Sequence, residues 1–181
     1  MLHVMLPKIL LQQELLKNVK AAYFTALERG FKQTGITEKN GVIKGRHVKF
    51  VSQDAICTGL KHGRKYLKDY VDMRQLYGPL MLKLAYACNV APEGKHAADI
   101  RKMYLLMVRH LLDQGWAAGS SLGTMHHHGY NTREMFTALF LMRKPLLDAG
   151  LLHQVSDMTQ WFSNIRYIFD KKYWADPNCD F

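Results

Sequence analysis

The chain has 181 residues, 48% hydrophobic and 22% charged, with 13 glycines and 5 prolines. That composition excludes a disordered or low-complexity chain and leaves an ordinary globular one. Twenty-five Lys and Arg against 15 Asp and Glu give a formal net charge of +10, and no window approaches the roughly 18 uncharged apolar residues that a membrane span needs.

The opening Met1-Leu2-His3-Val4-Met5-Leu6 lacks a leading cationic cluster and meets Pro7-Lys8 too early for a secretory h-region, so no signal peptide is read. The spacing of Leu11, Leu15, Val19, Ala22 and Leu27 predicts a helix over Leu10–Arg29, stopped by Gly30. Residues 30–65 carry repeated glycines between short β-branched pieces, Val42-Ile43 and Val48 to Val51, and read as a long irregular connection with one short hairpin. Helical pattern returns near Lys68, with Met73, Leu76, Leu80, Leu84 and Cys88 on one face and Pro79 kinking or delaying the helix.

Val90 to Gly94 reads as a turn. Asp99 is then expected to cap a helix to Gln114 whose apolar face is Ile100, Met103, Tyr104, Met107, Val108 and Leu111. A second glycine-rich connection is expected over Gly115–Gly129. Asn131 and Glu134 have the spacing of a capping box and open the next helix, in which Pro145 predicts a break and Gly150 the stop. A last helix is expected from Ser156, burying Met158, Trp161, Phe162, Ile165 and Phe169. The fold class is all-α, built of helical hairpins.

Thirteen basic and 5 acidic residues fall within residues 1–70, a field that attracts polyanions without choosing among them. Cys57, Cys88 and Cys179 form neither a zinc spacing nor a disulfide framework. The segment from Gly115 to Arg133 stands apart, with glycines, three consecutive histidines, Tyr130 and Arg133 between two helices. Imidazole serves as a base or acid near neutral pH, and arginine forks onto carboxylate or sulfate. A blander account competes with each: in an extended run the histidines cannot all face one way, Tyr130 can pack, and Arg133 can bridge helices. His126 and His128 could face one way as zinc ligands, yet no Asp, Glu or Cys stands at ligand spacing, so no metal site and no cofactor are read in this chain.

At Tyr104-Leu105-Leu106-Met107-Val108-Arg109-His110-Leu111-Leu112-Asp113-Gln114-Gly115-Trp116, followed by Thr124-Met125-His126-His127-His128-Gly129-Tyr130, the chain resembles the broad-specificity chondroitin sulfate ABC lyases of polysaccharide lyase family 8, which are secreted or periplasmic bacterial enzymes. The family shows a nearly identical helix ending in Leu-Leu-Asp-Gln-Gly, a small-residue loop, and a His-His-x-Gly-Tyr-x-x-Arg segment. The resemblance is strong over residues 99–133, looser to Asp170, and thin before residue 70.

The resemblance implies an α/α toroid of helical hairpins, incomplete here, and cleavage of chondroitin sulfate and dermatan sulfate, sometimes hyaluronan, by β-elimination at uronic acid residues. It implies that His126 is the catalytic base for the iduronate epimer, and that His127, Tyr130 and Arg133 bind substrate. The family's main His, Tyr, Arg and Glu set draws its His and Tyr from an Arg-His-Glu-Gly-Asn-x-x-Gly-Tyr segment that does not occur in these 181 residues. Residues 1–181 are therefore expected to be one partial domain whose partners are an acidic polysaccharide and the C-terminal remainder of the enzyme, with no turnover alone. Any divalent cation would belong to that remainder. His128 stands where one relative has tryptophan, and Glu134-Met135 replace a tryptophan pair, which changes the surface offered to sugar rings. The rival reading is a non-catalytic basic helical module that binds polyanions, nucleic acid being the less favoured of them.

Overall fold

A computed structural model describes residues 2–49, 70–90, 96–114 and 125–156, with side chains over 12–48, 71–90, 96–114 and 133–156. The described chain is mostly helical, as the all-α class requires, with four strands of three residues each. The last predicted helix beyond Ser156 lies outside the described residues, as does most of the Val90–Gly94 turn.

Helix α1 (Leu2–Gln33) is longer at both ends than its apolar spacing predicts. Gly30 does not stop it. A Cβ at Gly30 would stand 3.0 Å from Leu80 Cδ1, so this glycine lets the next helix approach. The stop falls at Gly35, with φ +67. There Thr34 Oγ1 donates to the Phe31 carbonyl at 2.6 Å and accepts from the Ile36 amide at 3.2 Å, satisfying the frayed end. Only Leu27 of the described residues on the predicted apolar face is buried; Leu15, Leu16 and Val19 are 63, 55 and 55% exposed.

The connection that follows is more regular than expected. Strands β1 (Thr37–Lys39) and β2 (Val42–Lys44) form the anticipated hairpin, with Lys39 opposite Val42. Its two-residue turn is Asn40-Gly41, with φ 52 and 77, the sign that a twisted type I′ connection demands. Strand β3 (His47–Lys49) pairs in parallel with β4 (Tyr70–Asp72), where a helix was expected to begin.

Asp72 instead caps a π-helical turn over Met73–Tyr77, its Oδ1 accepting from the Gln75 amide at 2.8 Å. Helix α2 (Gly78–Val90) takes over one residue before Pro79, which is the predicted delay. Helix α3 (Ala97–Asp113) starts after His96, which provides no side-chain cap; Asp99 lies in the first turn, where its charge favours the positive helix end. Helix α4 (Met125–Leu141) breaks at Met142, and α5 (Arg143–Asp148) carries Pro145 in its first turn, as predicted. Gly150, at φ +69, ends it: the Gly150 amide donates to Leu147 and the Leu151 amide to Leu146, a Schellman closure. A further helical turn covers 152–156, earlier than the expected start at Ser156.

Helix α2 is the hub, packing on α3, α4 and the end of α1. Met81, Leu84 and Ala85 meet Tyr104, Met107, Met135 and Ala138 in one contiguous core, all fully buried. Each large side chain so buried stabilises the fold by about 1.5–3 kcal/mol.

Candidate functional site

The three histidines do not lie in a loop. Helix α4 starts at Met125, so positions 126–128 fall in its first turn, and Asn131 and Glu134 lie inside the helix rather than at its cap. A helix turns about 100° per residue. His126, Tyr130 and Arg133, at i, i+4 and i+7, therefore share one stripe, while positions 127 and 128 are rotated successively away from it. The buried residues Met135, Ala138 and Leu139 occupy the opposite side of the helix. The backbone thus groups three of the four predicted site residues and sets His127 apart. The side chains of His126, His127 and Tyr130 lie outside the described residues.

Arg133 is well exposed, and its guanidinium closes on its neighbour: Nη2 lies 2.6 Å and Nε 3.2 Å from Glu134 Oε1. Both donors reach the same oxygen. Glu134 Oε2 is buried with no hydrogen-bond partner among the described residues. Burial alone would raise the carboxyl's pKa, but the hydrogen bond and charge of Arg133, with a smaller contribution from Arg74, hold it below its ordinary value. The Glu134 hydrogen bond and charge in turn raise Arg133. Glu134 is thus a fixed anion at neutral pH, unsuited to donate a proton. Its role was not legible in the sequence, where it read as a cap.

A second set of side chains fixes the far end of α3. His110 Nε2 lies 2.9 Å from the Arg46 carbonyl oxygen, so that nitrogen carries the proton. Gln114 Oε1 accepts from the Val48 amide at 2.8 Å, and its Nε2 donates to the His110 carbonyl at 3.3 Å. The Leu-Leu-Asp-Gln run therefore anchors β3 and the basic hairpin to α3. Lys102 adds an ion pair with Glu38 at 3.4 Å.

An apolar cavity of about 450 Å³ opens between α1, α2 and α3, lined by Phe24, Leu27, Tyr86, Val90 and Ile100 with Lys20 at hand. Phe24 and His96 stack there at 3.7 Å. Arg133, the predicted site residue whose side chain is described, does not line it. Among the described residues no three His, Cys, Asp or Glu side chains gather as a metal ion would need, and no helix is long and apolar enough to cross a membrane.

The sequence matches the family model described as "Lyase, catalytic" over residues 5–178. It is similar to a chondroitin sulfate ABC endolyase of Proteus vulgaris, 36% identical over 145 residues, covering 78% of this chain and 14% of that protein. A chondroitin sulfate ABC exolyase of Bacteroides thetaiotaomicron is 33% identical over 102 residues, covering 56% and 10%. The chondroitin sulfate ABC exolyase of Proteus vulgaris is 30% identical over 108 residues, covering 60% and 11%. The chain therefore spans 10–14% of the length of these relatives.

Proposed function

The chain belongs to the family of lyase catalytic domains, and from that premise we propose that it is part of a polysaccharide lyase acting on chondroitin and dermatan sulfates. It contributes helical hairpins to an α/α toroid and one wall of a groove for an acidic polysaccharide. The observation that carries this reading is the single stripe formed by positions 126, 130 and 133 along two turns of α4.

The chemistry assigns a task to each. Arg133 neutralises the uronate carboxylate, which acidifies the proton on the adjacent ring carbon. His126, as free imidazole, removes that proton on the iduronate face. The electron pair forms the ring double bond as the glycosidic carbon–oxygen bond breaks, and a proton donor outside these residues completes the leaving hydroxyl. Tyr130 and His127 hold the sugar. The positive end of the α4 dipole favours anionic substrate at its first turn. The resemblance to secreted and periplasmic lyases supports a working enzyme outside the cytoplasm.

The test is binding and turnover by the 181 residues. Chondroitin sulfate should bind more tightly than DNA at matched salt, with no rise in ultraviolet absorbance from unsaturated uronate. Equal affinity for DNA would favour a general polyanion module. Robust turnover would show that the proton donor lies within this chain. In a longer enzyme carrying these residues, His126→Ala should slow dermatan cleavage more than chondroitin cleavage, and equal slowing would remove the epimer-specific role.

A further inference from the structure

Arg133 and Glu134 are consecutive on α4, where neighbouring side chains point about 100° apart and do not ordinarily meet. The guanidinium nevertheless turns back onto the carboxylate, with Nη2 at 2.6 Å and Nε at 3.2 Å from Glu134 Oε1. The two side chains differ sharply in exposure, 76% for Arg133 and 17% for Glu134. Glu134 Oε2 is buried with no hydrogen-bond partner among the described residues. An unmatched buried acceptor costs stability, so the carboxylate does little for the fold itself. What it fixes is the arginine.

A guanidinium presents its N–H donors as flat forks, one along Nε and Nη2 and one along Nη1 and Nη2. Glu134 takes the first of them. The second belongs to an exposed side chain and makes no hydrogen bond among the described residues. A planar carboxylate fits such a fork through two parallel bonds. Holding the side chain beforehand also removes part of the ordering cost that binding would otherwise incur. Charge acts the other way, since a fixed anion beside Arg133 weakens the field that an anionic ligand meets. The two effects have opposite signs and can be separated.

We propose that Glu134 is the positioning residue of Arg133: it holds the Nε–Nη2 fork on its Oε1 and leaves the Nη1–Nη2 fork preset for the uronate carboxylate. The assignment rests on the proposed polysaccharide substrate, and it adds Glu134 to the residues on which recognition depends.

The experiment measures binding of an unsulfated chondroitin oligosaccharide, charged only through its uronate carboxylates, to the 181-residue chain at low salt. A DNA oligonucleotide is titrated in parallel. Arg133→Gln should weaken chondroitin binding about three- to tenfold. Arg133→Lys keeps the charge without the fork and should recover only part of that loss. Glu134→Ala should weaken binding about two- to fivefold, and Glu134→Gln, which retains an acceptor, by less. Both Glu134 variants remove a negative charge, so a purely ionic surface would bind more tightly. In an Arg133→Gln background Glu134→Ala should bring no further loss, because nothing is left to position. Matched helical circular dichroism shows that the variants are folded.

Tighter binding by either Glu134 variant, or unchanged binding by Glu134→Ala, overturns the proposal. So does a Glu134→Ala loss that persists undiminished without Arg133, or an Arg133→Gln variant that binds like the wild type. In each case a wild-type preference for chondroitin over DNA leaves the lyase reading intact. Losses on DNA as large as those on chondroitin overturn the uronate assignment together with the polysaccharide reading, and so does a wild-type chain that binds neither.

Discussion

The ring of His110 fills the space that a side chain at position 45 would need: a Cβ on Gly45 would stand 2.8 Å from Nε2 and 2.9 Å from Ile36 Cγ1. The requirement is for room. Gly45→Ala should therefore cost about 1–3 kcal/mol through displacement of the ring and loss of its hydrogen bond to Arg46. Urea unfolding of Gly45→Ala, His110→Ala and the double variant checks it. The double variant should lose less than the two single losses combined, because the vacated ring site takes the new methyl; simple additivity would show that the two residues do not compete for space.

Gln114 has both of its polar atoms engaged, one on the Val48 amide and one on the His110 carbonyl. Gln114→Ala leaves the Val48 amide without its acceptor and should cost about 1–3 kcal/mol. Glu at this position keeps the acceptor and should cost less. Hydrogen exchange at the Val48 amide is the local readout: it should speed up in the alanine variant by more than global stability accounts for.

Burial raises the phenol pKa of both Tyr77 and Tyr104 above the ordinary 10.0. In the unfolded chain these phenols ionise near 10, whereas the folded state keeps its protons. Between those limits the native state holds more protons, so stability is complete below pH 10 and falls as pH rises beyond it. Tyr77→Phe removes the 2.6 Å hydrogen bond to the Met107 carbonyl and costs about 0.5–1.5 kcal/mol at neutral pH. It should also flatten the alkaline decline, as should Tyr104→Phe. Denaturant melts from pH 8 to 11 test this, and an unchanged slope in both variants would contradict it.

The exposed face of α1 presents Leu15, Leu16, Val19 and Tyr23 to solvent. Contiguous apolar surface of this kind drives association. The 181-residue chain should sediment with a concentration-dependent mass, and Leu15→Glu combined with Val19→Glu should abolish that dependence while leaving the thermal midpoint within a degree or two, since neither side chain supports the core.

The helices were legible where apolar spacing met a packing partner. Ile100, Met103, Tyr104, Met107 and Leu111 read as one face, and all are buried. Pro79 and Pro145 marked their interruptions correctly, because a missing amide has the same effect in any context. Glycine was less transparent. Gly30 looks like a terminator in one dimension but serves Leu80 in three, and Gly35, further along the chain, would have been the better choice only with the Thr34 hydroxyl in view. The start of α4 was misread for a related reason: histidines and Gly129 favour helix weakly, and packing of Met135 and Ala138 against α2 overrides that preference. The Asn40-Gly41 turn carried a hairpin signal in its sequence, while the parallel pairing of β3 with β4 had none, since it joins residues far apart in the chain. The stripe of 126, 130 and 133 needed the helix to be known first.

That parallel pair also bears on the order of assembly. His110 and Gln114 reach Arg46 and Val48 across 64 and 66 residues, and β3 waits for β4, whose Tyr70 pairs with His47. Chain closure of this kind is entropically slow compared with docking neighbouring helices. The corner that ties β3 to the end of α3 therefore forms late, after α2 has gathered α3 and α4, and a nascent chain fixes its hairpin in place only once its hydrophobic centre is packed.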